Sequence, residues 1–140
     1  MYEIRQSHFA QGRKLIAQHK GYEIRTIGDS VMAAFRSASA ALDFACALCA
    51  DPGASELRLR AGIHIGPLQI EEGDVFGRTV NFAARVIGAI KGAGIWLSEQ
   101  AKADIDTLGA RRHEGLKWEK REEIALKGFA GAFTLWSAAA

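Results

Sequence analysis

The chain has 140 residues, of which 49% are hydrophobic, which suffices for one domain with a substantial core but not for two. The formal net charge is only +2, because 18 basic residues are scattered among 16 acidic ones. Without a long basic run, this balance argues against a nucleic-acid-binding surface and leaves room for a small anionic ligand. We therefore treat residues 1–140 as a single domain without a nucleic-acid partner.

No stretch approaches the roughly 20 consecutive apolar residues that a membrane span requires. The N-terminus is rich in Glu, Arg, Gln and His and lacks the apolar core of a signal peptide. The sequence therefore predicts a soluble, cytoplasmic chain without a membrane segment.

The first half of the chain alternates helical and extended patterns. The elements predicted in chain order are a helix over residues 6–19, strands over 22–27 and 31–35, a helix over 38–50 and a strand over 57–65. Gly28, Asp29 and Ser30 form a tight turn between the first two strands, so Asp29 should lie at a strand tip. Ser37 is a suitable N-cap for the second helix.

The second half continues the interleaving of helices and strands. The elements predicted are a strand starting at residues 68–70, a helix from Arg78 to about Ala89, a strand over 94–97, a helix starting at Ser98, and strands around 124–126 and 133–136. Residues 116–118, followed by the charged stretch 119–123, predict an exposed hairpin. Interleaved helices and hairpins favour an α/β or α+β sandwich, in which helices pack on a mostly antiparallel sheet.

Cys46 and Cys49 are the only cysteines, and their spacing places both on one face of the second predicted helix. Free cysteines pack as small hydrophobes, and no second Cys/His pair completes a zinc site, so a core helix is favoured. A redox pair is the alternative, but it requires a lowered thiol pKa at a helix start, and these cysteines lie mid-helix. We also interpret His64 as structural.

The polar side chains most typical of a binding site lie where a glycine-bounded turn, residues 73–77, leads into the helix that begins at Arg78. Arg78, Asn81 and Arg85 recur at i, i+3 and i+7 on one helical stripe. Arginine offers a planar fork of donors to phosphate oxygens, and asparagine can donate to and accept from a hydroxyl. The stripe suits a phosphate- and sugar-bearing ligand, and a solvated helix face is the alternative.

Three stretches, in family order, resemble the class III nucleotidyl cyclases, the adenylate and guanylate cyclase catalytic domains. The stretch from Asp74 to Val86 is similar to the family signature, and residues 25–35 to its metal-binding hairpin. Leu126-Lys127-Gly128-Phe129 resembles its C-terminal phosphate-contacting segment. The resemblance implies a ferredoxin-like βαββαβ palm. It starts at the first family helix, so we expect the chain to be N-terminally truncated relative to the family domain.

The resemblance implies that Asp29 is a ligand of Mg²⁺ or Mn²⁺, hard cations that carboxylates and substrate phosphates hold together. The family's other metal-binding Asp lies on an earlier strand, and nothing before Gly21 reads as that strand. Two-metal activation of a hydroxyl is therefore in doubt for this chain, which we expect to show little activity alone. On position alone, Asp29 could be an ordinary turn residue.

The resemblance also assigns the other site residues. Asp74 and Arg25 would contact the adenine base, Asn81 would hold the ribose, Arg85 would offset transition-state charge, and Lys127 would contact the phosphates. Adenylyl-type members usually carry Lys at the position of Arg25, and guanylyl-type members carry Glu. Without the resemblance, Asp74 could be a turn residue and Lys127 a solvated lysine.

The implied function is an adenylyl cyclase-like catalytic domain that converts ATP to 3′,5′-cyclic AMP and pyrophosphate, as a head-to-tail homodimer with sites at the interface. One alternative is a non-catalytic cyclase-homology module that dimerises with or regulates an active partner. The missing metal strand favours this alternative, and the retained Asp29, Asn81, Arg85 and Lys127 oppose it. A binding domain unrelated to nucleotides is a third possibility, because this architecture hosts many functions.

Overall fold

The structure is a computed structural model that describes residues 2–27, 30–50, 59–71, 74–108 and 110–139, with side chains over 10–24, 31–50, 59–69, 77–107 and 112–139. The helices are α1 (Tyr2–Gln18), α2 (Ala38–Cys49), α3 (Arg78–Ala89), α4 (Glu99–Leu108) and α5 (Ala110–His113). The strands are β1 (Tyr22–Ile27), β2 (Ser30–Ala34), β3 (Arg60–Ile63), β4 (Gln69–Glu71), β5 (Asp74–Phe76), β6 (Gly94–Ser98), β7 (Lys117–Ala125) and β8 (Ala132–Ala139). None of the described helices combines the length and apolarity that a bilayer crossing requires.

A four-stranded sheet in the order β3-β6-β8-β7 forms the centre of the fold. The β3–β6 pair is parallel, because α3 lies in the crossover between them, and the β6–β8 and β8–β7 pairs are antiparallel. Two further antiparallel pairs, β1–β2 and β4–β5, stand as separate sheets. The α+β class with mostly antiparallel pairing, predicted from the sequence, is confirmed.

The two faces of the central sheet carry separate apolar cores, because successive strand residues point to opposite sides. On one face, α2 and α4 pack against Ile63 and Leu97. On the other face, α3 packs through Phe82 and Val86 against Trp96 and its neighbours. We call α3 the motif helix, because it carries the stripe of Arg78, Asn81 and Arg85. Of the described helices that form these two cores, it alone lies on the second face.

A glycine in β3 sets how closely α3 approaches the sheet. A Cβ on Gly62 would lie 2.6 Å from Ile87 Cγ1 and 3.1 Å from the carbonyl oxygen of Ala83. Because one of these neighbours is helix backbone, a side chain here would push α3 off the strand. Gly62 thus fixes the depth at which the motif helix sits.

Two sequence expectations need correction. Residues 116–123 do not form a hairpin of their own: β7 is one edge strand that pairs with β8 and has a bulge between Arg121 and Ile124. Exposed charges are typical of edge strands as well as of hairpins, so charge alone does not separate the two.

Cys49 is exposed rather than packed in the core, and Cys46 is half-buried. Burial raises the pKa of the Cys46 thiol, which argues against the redox alternative.

Candidate functional site

The motif helix begins at a backbone conformation that favours glycine. Gly77 has φ +112°, and a Cβ there would lie 2.8 Å from Gln69 Oε1. Gly66 lies against the first turn of α3, since a Cβ at this position would be 2.7 Å from Thr79 Oγ1. The β4–β5 hairpin and the loop before it therefore hold the start of α3 tightly.

The polar stripe predicted on this helix is exposed. Arg78, Asn81 and Arg85 are all solvent-accessible, whereas Phe82 and Val86 are buried on the core side. The predicted end of the helix at Ala89 is also correct. The helix thus presents two guanidinium groups and one amide on a surface anchored by its apolar side.

The turn that carries Lys127 meets α3 through aromatic contacts. The Phe82 and Phe129 rings lie 5.1 Å apart in an edge-to-face arrangement, and the Arg78 guanidinium lies 4.6 Å from the Phe129 ring centroid. Leu126 is buried beneath the turn, and Lys127 is exposed. Two of the three sequence motifs are therefore adjoining parts of one surface.

The third motif, residues 25–35, and the start of the signature at Asp74 are only partly described by the structure. Arg25 lies in β1 opposite Met32, and Asp74 opens β5 opposite Glu71. The strands β1 and β5 contact each other, so the backbone segments that carry Arg25 and Asp74 are neighbours. The side chains of both residues, and the whole of Asp29, lie outside the described part of the structure. Their predicted roles stay predictions.

The described side chains do not form a metal-binding cluster. Among them, no three His, Cys, Asp or Glu residues cluster in a way that could hold a metal ion. Asp29, the predicted ligand, is not in this set. The described donors therefore form no metal site by themselves, and metal binding through Asp29 remains a prediction.

The side chain of His64, which directly follows β3, packs against the motif helix. Its ring centroid is 4.3 Å from that of Phe82, and its Nδ1 lies 2.7 Å from Ser98 Oγ. Ser98 Oγ also accepts the backbone N–H of Ala101, and either tautomer of the imidazole can complete the bond between His64 Nδ1 and this hydroxyl. Burial lowers the pKa of His64, which favours the neutral ring. His64 therefore ties β3 and the start of α4 to α3.

A second buried polar cluster was not foreseen from the sequence. His113 of α5 is 4% exposed, and its Nε2 lies 2.8 Å from Ser39 Oγ and 3.5 Å from Asp43 Oδ1 in α2. Arg112 also pairs with Asp43. These residues join α2 to α5 on the face of the sheet opposite α3. We interpret the cluster as a structural tie outside the candidate site.

Comparison with known proteins places these features in a family. The sequence profile of the adenylate and guanylate cyclase catalytic domain matches residues 1–137. Putative adenylate cyclase 3 of Rhizobium meliloti is 30% identical over 114 residues, which cover 71% of this chain and 19% of that protein. A pH-sensitive adenylate cyclase of Mycobacterium tuberculosis is 31% identical over 116 residues, covering 81% of this chain and 28% of that protein. The chain thus spans less than a third of either relative.

Solved structures share the fold. Trypanosoma brucei adenylate cyclases in their monomeric state superpose with a TM-score of 0.80 at 22% identity, covering 99% of this chain and 78% of theirs. An adenylate/guanylate cyclase/hydrolase from Silicibacter pomeroyi gives 0.71 at 26% identity, over 91% of this chain and 78% of that one. A non-canonical dimeric guanylyl cyclase domain from Blastocladiella emersonii gives 0.67 at 16% identity, over 99% and 82%.

Proposed function

Because the chain belongs to the adenylate and guanylate cyclase catalytic domain family, we propose that it is an adenylyl cyclase-like catalytic domain that converts ATP to 3′,5′-cyclic AMP and pyrophosphate. The observation that carries this proposal is the contact between α3 and the turn that bears Lys127. It brings the helix that carries the exposed Asn81 and Arg85 next to the turn that carries the exposed Lys127. That combination suits a ribose and a polyphosphate.

The reaction joins the ribose 3′-oxygen to the α-phosphorus and breaks the bond from the α-phosphorus to the oxygen of the leaving pyrophosphate. The hydroxyl proton passes to solvent. Asn81 would hold the ribose so that the hydroxyl lies in line with the bond that breaks. Arg85 would donate to the α-phosphoryl oxygens, where charge builds in the transition state, and Lys127 would neutralise the departing pyrophosphate.

Asp29 would hold Mg²⁺ or Mn²⁺, which when bound supplies positive charge at the phosphates and lowers the pKa of a bound hydroxyl. We further propose a head-to-tail homodimer, in which the metal carboxylate comes from one copy and Asn81 and Arg85 from the other. One similar structure is described as dimeric and another as monomeric, so the assembly of this chain needs its own measurement. Sedimentation velocity with and without nucleotide gives it directly.

A second candidate function is a non-catalytic cyclase-homology module that dimerises with or regulates an active partner. The observation that favours it is the position of α1, which occupies Tyr2–Gln18 directly before β1. Within residues 2–21, as described, no strand is present that could carry a further metal-binding carboxylate. Residues 1–140 by themselves would then rely on another polypeptide segment for that carboxylate.

A complementation assay separates the two functions. The purified chain is incubated with Mn²⁺ and ATP, alone and with a family cyclase domain that has intact metal carboxylates but Ala at the position matching Arg85. We expect little cyclic AMP from the chain alone and clear turnover in the mixture. The mixture made with Arg85→Ala should be inactive. If the mixture assembles and binds ATP without turnover, the catalytic proposal fails and the regulatory module is supported.

A further inference from the structure

Arg78 is the member of the polar stripe on α3 to which the proposed function gives no role. It is the first residue of the helix and is exposed, and it lies three residues before Asn81 and seven before Arg85. Its guanidinium carbon lies 4.6 Å from the ring centroid of Phe129, two residues after Lys127. A cation at the start of the motif helix therefore contacts the turn that carries another cation.

The aromatic ring beneath Arg78 is held in place from two sides. The Phe129 ring packs edge to face against Phe82 at 5.1 Å and against Phe133 at 6.4 Å. An aromatic ring attracts the guanidinium charge without taking up the in-plane N–H donors that recognise phosphate oxygens. A donor group that is ordered in this way loses less conformational freedom when a ligand binds.

The turn that carries Lys127 is rigid as well. The backbone N–H of Phe129 donates to the carbonyl oxygen of Leu126 at 3.0 Å, and Gly128 has φ +85°, the left-handed conformation that a type II turn requires at its third position. Leu126 is 3% exposed and Phe129 is half-buried, so both ends of the turn are anchored. The exposed Lys127 thus starts from a backbone position that is fixed relative to Phe129 and Arg78.

The charges of the described side chains leave these two cations free. The acidic residues of β7 that form ion pairs do so with basic residues of the same strand. Across the described side chains, no ion pair includes Arg78 or Lys127. Cations held on one surface without carboxylates create a positive potential that attracts anions. A polyphosphate suits them, because its charge is spread over several phosphate groups and can pair with both.

We propose that Arg78 is a further substrate-binding residue, which together with Lys127 holds the β- and γ-phosphates of a nucleoside triphosphate. The inference rests on the proposed function for the identity of the nucleotide. Arg85 would contact the α-phosphoryl oxygens two turns further along α3. A diphosphate lacks the terminal phosphate and would leave one of the two cations unpaired. The pair of Arg78 and Lys127 therefore selects triphosphates over diphosphates.

The first test is calorimetric titration of the chain with inorganic tripolyphosphate, which carries the anion without a base or a ribose. Arg78→Gln keeps a planar amide against the Phe129 ring but removes the charge, so binding should weaken about tenfold. Arg78→Lys keeps the charge and should lose less. The matched control is Lys117→Gln, which removes an exposed cation at the far end of β7, roughly 25 Å along the strand. It should bind like the wild type.

The second test compares nucleotides. The wild type should bind ATP about tenfold more tightly than ADP, and Arg78→Gln should remove most of this preference. A wild type that does not bind tripolyphosphate would overturn the inference. So would unchanged binding in Arg78→Gln, or an equal loss in Lys117→Gln, which would indicate a general attraction between charges.

The outcomes separate this inference from the proposed function. If Arg78→Gln binds tripolyphosphate normally while the complementation assay yields cyclic AMP, the role of Arg78 is wrong and the proposed function stands. If Arg78→Gln loses tripolyphosphate binding while the complementation assay yields no cyclic AMP, Arg78 binds polyphosphate and the proposed function is wrong.

Discussion

Phe82 and Phe129 pack edge to face, with ring centroids 5.1 Å apart and an interplanar angle of 79°. Phe82 directly follows Asn81 in α3, and Phe129 lies two residues after Lys127. Phe133 closes the cluster at 5.2 Å from Phe82. Aromatic packing therefore holds the turn that carries Lys127 against the helix that carries Asn81 and Arg85.

Replacing Phe129 with Ala should destabilise the fold and loosen this arrangement. Truncating a fully buried Phe typically costs 3–5 kcal/mol, and Phe129 is half-buried, so we expect a loss of about 2 kcal/mol in the free energy of unfolding. Phe129→Leu should lose less, because it keeps part of the apolar contact. Urea unfolding measures both. Equal stability of Phe129→Ala and the wild type would mean that the aromatic contact does not hold the turn on α3.

Replacing Arg85 with Ala should act on turnover rather than on substrate binding. If Arg85 donates mainly to oxygens that gain charge in the transition state, its loss should lower kcat by roughly 10²-fold or more with little change in KM. The measurement is steady-state kinetics in a form that contains the whole site. Lys117→Ala, which removes an exposed cation at the start of β7, is the control and should keep wild-type turnover. Full activity of Arg85→Ala would remove Arg85 from the mechanism.

Local signals in the sequence were sufficient for most elements. Ser37 accepts the backbone N–H of Ala40 and caps α2 as predicted, and α3 begins at Arg78 and ends at Ala89 as its apolar spacing indicates. Capping and amphipathic periodicity depend on residues a few positions apart, so they can be read directly. The exposure of Asn81 and Arg85 follows from the same periodicity.

Features that depend on distant residues could not be read in this way. The hydrogen bond between Ser39 and His113 joins residues 74 positions apart, and neither carries a local signal for the other. The bulge in β7 depends on how that strand pairs with β8, so the charge pattern alone suggested a hairpin. The contact between Phe82 and Phe129 likewise arises only when α3 and the turn after β7 meet on the sheet.

The His113 cluster predicts a pH dependence of stability. Burial, with the charge of Arg112 as a smaller cause, lowers the pKa of His113 from its ordinary value of 6.5, despite the neighbouring Asp43 carboxylate. Between the folded and unfolded pKa values the unfolded chain binds more protons, so stability rises with pH. The contribution is present above about pH 6.5 and is lost as pH falls through the folded pKa.

His113→Gln should therefore flatten the fall in unfolding free energy as the pH drops below about 6.5, while lowering stability at pH 7 through loss of the contact with Ser39. Some pH dependence should remain, because burial also lowers the pKa of His64. Urea unfolding at several pH values measures the slope. An unchanged slope in His113→Gln would show that His113 does not titrate differently in the folded chain.

Base specificity should depend on Asp74 and Arg25 acting as a pair. An ionised carboxylate only accepts hydrogen bonds, so Asp74 would pair with the exocyclic amine of adenine and repel the O6 of guanine. Arg25 would donate to a ring nitrogen. A buried polar group left unpaired costs roughly 1–3 kcal/mol, so ATP should be preferred over GTP by about tenfold or more. The strands that carry the two residues contact each other, as this pairing requires.

Combining Asp74→Cys with Arg25→Glu should move the preference toward GTP. The first change removes the acceptor that repels O6, and the second supplies a carboxylate for the N1 and N2 hydrogens of guanine. The wild type and the double variant are titrated with both nucleotides in a form that contains the whole site. Each single variant shows whether the two changes act together. If the wild type binds GTP as well as ATP, or the double variant leaves the ratio unchanged, Asp74 is a turn residue and the adenine assignment is wrong.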